Sequence, residues 1–234
     1  MKKIVPLFVP ARISPVAALA AALALSACGN NPPVPDWQMN AQSAIERSTS
    51  AYLTGNTRVE NAEYQRAREA LASTGKVDLI IRAELIRCAA RVASLVFEDC
   101  SGFDKLAQDA SPADRAYAAY LAGRASAADA ALLPEQHRAA ASAAGEASAS
   151  ASAASAVQSI ADPLSKLVAS GILLRAGKAT PQTLSDAVDT ASAQGWRRPL
   201  LAWLGTQSMR AEKAGDTAEA QRIRRRMALI TEKP

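Results

Sequence analysis

DLIIRAELIRCAARVASLV, residues 78–96, carries Ile81, Leu85, Cys88, Val92 and Leu95 at alternating steps of four and three. A helix turns once in about 3.6 residues, so these side chains share one stripe, with Arg82, Arg87 and Arg91 off it. The spacing predicts an amphipathic helix from Asp78 to Val96. Upstream, Asp36 is placed to cap a helix from Trp37 to Thr54 that Gly55-Asn56 stops, and a second helix runs from Arg58 to Ser73, stopped by Gly75. Downstream, Ser111-Pro112, Asp162-Pro163 and Thr180-Pro181 each set a capping side chain before a first-turn proline. Tyr117, Tyr120 and Leu121 continue the first of these as a buried stripe. Gly177 and Gly195 supply stops, and Pro199 opens a helix carrying Leu200, Trp203 and Leu204. No stretch alternates apolar and polar residues over a useful strand length. The predicted fold class is all-α, built of antiparallel helix pairs packed as a bundle or stacked as a short solenoid.

Composition points the same way. Aromatic residues make up 4% of the 234-residue chain, so a core has to come from close helix contacts between small side chains. Residues 139–156 are the extreme case, with 11 Ala, 5 Ser, one Gly and one Glu. Alanine favours helix, yet the segment has no large apolar stripe to bury. Residues 139–160 therefore read either as a helix against the body or as a linker between helical parts at 36–138 and 161–234.

The N-terminus reads as an address. Lys2, Lys3 and Arg12 form a basic start, followed by an apolar run from Val16 to Leu25 that is far shorter than the roughly 20 residues needed to span a bilayer. Leu25-Ser26-Ala27-Cys28-Gly29 resembles the lipobox of bacterial lipoproteins. The resemblance implies removal of residues 1–27 as a signal peptide, diacylglycerol on the Cys28 sulfur and acylation of the new amino group. Several acyl chains give stable anchoring where one binds only marginally. Gly29 departs from the aspartate that usually marks inner-membrane retention in that family, which implies the outer membrane, facing the periplasm. Residues 28–35, with Pro32, Pro33 and Pro35, form a short semi-rigid tether.

Processing also changes the charge. The whole chain is formally +5, but loss of Lys2, Lys3 and Arg12 leaves 24 basic against 22 acidic residues. Bulk charge gives no case for a nucleic-acid partner.

Ala214-Gly215-Asp216-Thr217-Ala218-Glu219-Ala220, followed by Arg224 and Met227, resembles the turn and second helix of a tetratricopeptide repeat. Gly55-Asn56 followed by Tyr64, Ala67 and Leu71 is a fainter copy or a generic helical hairpin. The likeness covers roughly 65 residues at the two ends and implies a protein-binding solenoid.

With Cys28 lipidated, Cys88 and Cys100 remain as a pair in an oxidising compartment, either bridged or as two separate thiols. A continuous helix would hold their α-carbons about 18 Å apart, whereas a disulfide tolerates only about 7 Å, so a bridge requires the helix to end before Cys100. Glu98-Asp99-Cys100-Ser101-Gly102 suits such a turn, with Phe97 or Phe103 packing inward. No cofactor site, metal site or catalytic set is legible. His137, the one histidine, stands in a polar stretch and is expected to be solvated, as are Glu60 and Glu63. Ser73-Thr74-Gly75-Lys76 has the Ser-x-x-Lys spacing of penicillin-binding proteins, but its serine closes a helix rather than opening one. Arg222, Arg224, Arg225 and Arg226 flank the inward-facing Ile223, either as a contact for an anionic surface or protein partner or as a solvated last helix. The expected function is a lipid-anchored helical scaffold that binds a protein during envelope assembly or secretion. The alternative is a cell-wall enzyme or small-ligand binder whose site has no local motif.

Overall fold

Leu167 to Leu173 form a run in which every residue is buried, including Ser170 and Gly171. A helix apolar on all sides belongs at the centre of a bundle, and α9 (Pro163–Arg175) occupies that place. The computed structural model describes residues 33–145 and 150–232. Residues 1–32, with the lipobox and its Cys28 and Gly29, lie outside them, and Pro33, Val34 and Pro35 are exposed and non-helical. The described residues are all-helical, with no strand among them.

Ahead of α9 come α1 (Asp36–Thr54), α2 (Thr57–Ala72), α3 (Val77–Ala93), the single turn α4 (Ser101–Asp104), α5 (Pro112–Leu121), the turn α6 (Ala127–Ala130), α7 (Glu135–Gly145) and α8 (Ser150–Gln158). After it come α10 (Pro181–Ala193), α11 (Arg197–Lys213) and α12 (Thr217–Thr231). α9 packs on α3, α5, α7, α8 and α10, and α1 reaches α11. The described residues from Asp36 onward form one compact unit. Its main core joins Ile81, Leu85 and Val92 of α3 to Tyr120, Leu167, Ile172 and Trp203.

The three starts with a cap before a first-turn proline form as expected. Ser111, Asp162 and Thr180 accept from the backbone N–H of Asp114, Ser165 and Thr183 respectively. Asn56 and Asp216 cap α2 and α12, the second helices of the hairpins formed with α1 and α11. Gly215 turns between α11 and α12 at φ +78°, a left-handed conformation that costs a glycine nothing sterically.

Two boundaries differ from expectation by more than one residue. α3 ends at Ala93 rather than Val96, because Leu95 adopts φ 58°. The N–H groups of Leu95 and Val96 turn back to Val92 O and Arg91 O, each at 2.9 Å, closing the helix without glycine. α11 begins at Arg197, two residues before Pro199. The first four helical N–H groups have no intrahelical partner, so proline at the third position removes no bond.

The described residues of the Ala/Ser-rich run belong to α7 and α8. Ala140, Ala143, Ala153, Val157 and Ile160 pack on Ala169 and Leu173 of α9. Small side chains here let helices approach closely, which makes up for the missing large stripe.

Early termination of α3 brings Cys100 back beside Cys88, with 5.8 Å between their α-carbons and the sulfurs bonded. Phe103 is the phenylalanine that packs inward, while Phe97 stays exposed. The closed loop is about 12 residues long, for which chain entropy gives roughly 2–3 kcal/mol. Reductant is expected to lower the urea midpoint accordingly, and Cys88→Ser to leave one alkylatable thiol at Cys100. Two thiols alkylated in the unreduced protein would contradict the pairing.

Candidate functional site

The arginines singled out on the last helix are all exposed. Arg222 pairs with Glu219 at 2.6 Å and Arg224 with Glu212 at 2.5 Å, while Arg226 reaches Ser192 Oγ at 3.3 Å. Much of the cluster's charge is therefore answered within the chain. Arg197 and Arg198, at the start of α11, are structural. Arg198 donates to Tyr52 O and Thr57 Oγ1 and lies over the Tyr52 ring at 4.4 Å, tying α11 to the first hairpin.

Glu60 and Glu63 are buried, not solvated, and Glu84 joins them. Glu60 meets Arg87 at 2.9 Å and Arg91 at 3.4 Å. Glu63 meets Arg47 at 2.9 Å and Arg66 at 2.5 Å, and Glu84 pairs with Arg68. Arg87 also lies 4.5 Å above the Tyr64 ring. Each carboxylate sits between neighbouring helices and is satisfied there by guanidinium, which is how charges survive partial burial. Gly102 of α4 lies directly behind Glu84, since a Cβ there would run into its carboxylate.

Beside the disulfide is a cleft of about 250 Å³ whose lining includes Arg91, Arg115, Arg124 and Arg175 together with Glu98, Asp99 and Asp104. Arg91 is engaged by Glu98 at 2.6 Å, and Arg175 lies 5.3 Å over the Phe97 ring.

His137 is 1% exposed, opposite to its expected place. Its ring lies 5.7 Å from that of Tyr117 and 5.2 Å from that of Tyr120. Burial pushes its pKa down to about 4, partly countered by the charge of Asp162. Neither His137 Nδ1 nor the Tyr120 hydroxyl has a hydrogen-bond partner among the described residues.

A further concavity is a groove of about 440 Å³ between α3, α5 and the turn from α6 into α7. Leu85 and Leu133, both buried, form its floor beside Tyr117. Ile86 and Leu132 line it while staying 37% and 46% exposed. Exposed large apolar side chains gathered in one concave place are a mark of binding surfaces, whereas isolated ones are ordinary.

Among the described residues no group of three or more His, Cys, Asp or Glu side chains is placed to hold a metal ion. None of their helices is long and apolar enough to cross a membrane. Comparison of the chain with protein-family models, with curated proteins and with solved structures finds no match. The class that the fold defines is an all-α helical body with a disulfide-closed turn and an apolar groove.

Proposed function

We propose that the protein is a lipid-anchored helical scaffold that holds a protein partner at the periplasmic face of the outer membrane. The observation that carries the protein-binding part is the groove with Ile86 and Leu132 at its surface. Two of its walls are α3 and α5 and the third is the turn at residues 132–134 that enters α7, so most of its backbone is ordered before a partner arrives and less ordering entropy is lost on binding. The two capped hairpins, α1 with α2 and α11 with α12, support a repeat-like use of the fold. The lipobox residues Leu25 to Cys28 support the anchor. No cofactor is invoked.

Chemical crosslinking of intact envelopes followed by purification of the full chain tests the scaffold. One protein recovered in a fixed ratio supports it, and release of product from peptidoglycan fragments by the purified protein counts against it. The Cys28→Ser variant is expected to lose fatty-acid labelling and to leave the membrane fraction; retained labelling would refute the anchor. Gly29→Asp is expected to move the protein towards the inner membrane, as read by density fractionation.

A second reading, a binder of a small anionic ligand, is favoured by the arginine-lined cleft beside the disulfide. Thermal shift of the full chain with anionic cell-wall fragments distinguishes it.

A further inference from the structure

We propose that the groove between α3, α5 and α7 docks a peptide segment in which apolar side chains are flanked by carboxylates. This rests on the scaffold reading and names the chemistry of its partner. The groove's volume, about 440 Å³, falls within the range of roughly 300–1,000 Å³ usual for ligand sites, enough for a few aliphatic side chains over Leu85 and Leu133. Charge complementarity selects the flanks. Arg82 and Arg138 line the same groove and are both exposed. Arg138 spends its Nε–H on Leu133 O at 2.8 Å, which steadies the guanidinium and leaves its terminal nitrogens for a partner. The one acidic side chain in the lining, Asp114, is already occupied: its carboxylate accepts from Ser111 Oγ at 2.6 Å and from Ser111 N–H at 3.3 Å in the cap of α5. Two guanidinium groups against this one carboxylate leave the lining with a net positive charge, and an acid-flanked segment gains from it while a basic one is repelled. The two cations stand on separate helices, α3 and α7, which suits carboxylates spaced along a chain better than the single headgroup of a lipid.

The test is a displayed library of random peptides selected on the full chain in phosphatidylcholine nanodiscs. The expected enrichment is for peptides with two or more large apolar residues beside Asp or Glu. Ile86→Asp or Leu132→Asp should weaken them at least about tenfold, the cost of roughly 1.4 kcal/mol. The double variant Arg82→Glu, Arg138→Glu should bind peptides with Lys or Arg flanks instead, a gain that misfolding cannot produce. No enrichment, enrichment of uncharged or basic flanks on the wild type, or peptides indifferent to the charge swap would overturn the proposal. So would displacement of the peptides by anionic vesicles, which would make the groove a lipid site, or a dimer abolished by Ile86→Asp. If crosslinked envelopes still yield the same partner with Ile86→Asp, the scaffold reading stands and the groove assignment falls. If they yield none with the wild type, the scaffold reading itself falls.

Discussion

Gly171→Val is expected to destabilise the protein by about 3 kcal/mol or more, the upper end of what overpacking costs. Gly171 lies in the middle of α9, where this helix crosses α3. A Cβ at 171 would lie 2.7 Å from Val92 O and 3.2 Å from Val92 Cγ1. The first of these contacts is with backbone, which cannot rotate aside. α3 is also held from behind, because Trp203, fully buried, donates its indole N–H to Ala93 O at 3.1 Å. Separating α3 from α9 therefore strains α11 as well. Gly171→Ala meets the same oxygen but gains about 1 kcal/mol of helix propensity, so its loss should be smaller. Urea unfolding followed by far-UV circular dichroism gives both values. An alanine variant at least as stable as the wild type would show that the two helices do not approach this closely.

The second large effect is acid sensitivity through His137. An unfolded chain carries this imidazole at an ordinary pKa of 6.5, whereas burial against Tyr117 and Tyr120 lowers it to about 4 in the fold, despite the opposing pull of Asp162. Between those values the unfolded state binds the proton and the folded state does not, so stability falls as pH falls through that window and is unaffected above it. At about 1.4 kcal/mol per pH unit the loss approaches 3 kcal/mol near pH 4. His137→Phe keeps the ring packing and removes the titration. The difference in unfolding free energy between wild type and variant, measured at several pH values, should grow in the variant's favour from pH 6.5 downward. A difference that does not change with pH would mean that His137 reaches water in the folded protein.

The helical class and most starts were legible because their causes are local. Ser111, Asp162 and Thr180 cap through bonds spanning three residues, and the stripe from Ile81 to Val92 needs only helical spacing. The misplaced features have distant causes. His137 is flanked by exposed Gln136 and Arg138 and reads as surface, yet the tyrosines that bury it come from α5. Glu60 and Glu63 look solvated until Arg47, Arg87 and Arg91 arrive from α1 and α3. Leu95 continued the stripe's spacing, and periodicity carries no sign of its turn to positive φ. The groove left a faint trace: Ile86 is apolar but off the stripe, and Leu132-Leu133 precedes Pro134. Their meeting depends on the packing of α5 against α3 and of α7 against α9 and could not be read from either segment alone.

The most direct test of the scaffold is site-specific photo-crosslinking in living cells, with a photoreactive amino acid placed singly in the full chain. Ile86 and Leu132 report on the groove, and Met209 and Leu229, at 64% and 73% exposure, report on apolar surface outside it. The account predicts one crosslinked protein from the two groove positions, nothing comparable from the other two, and loss of the product when Cys28 is replaced by serine. Equal crosslinking from all four positions, or none from the groove, would contradict it.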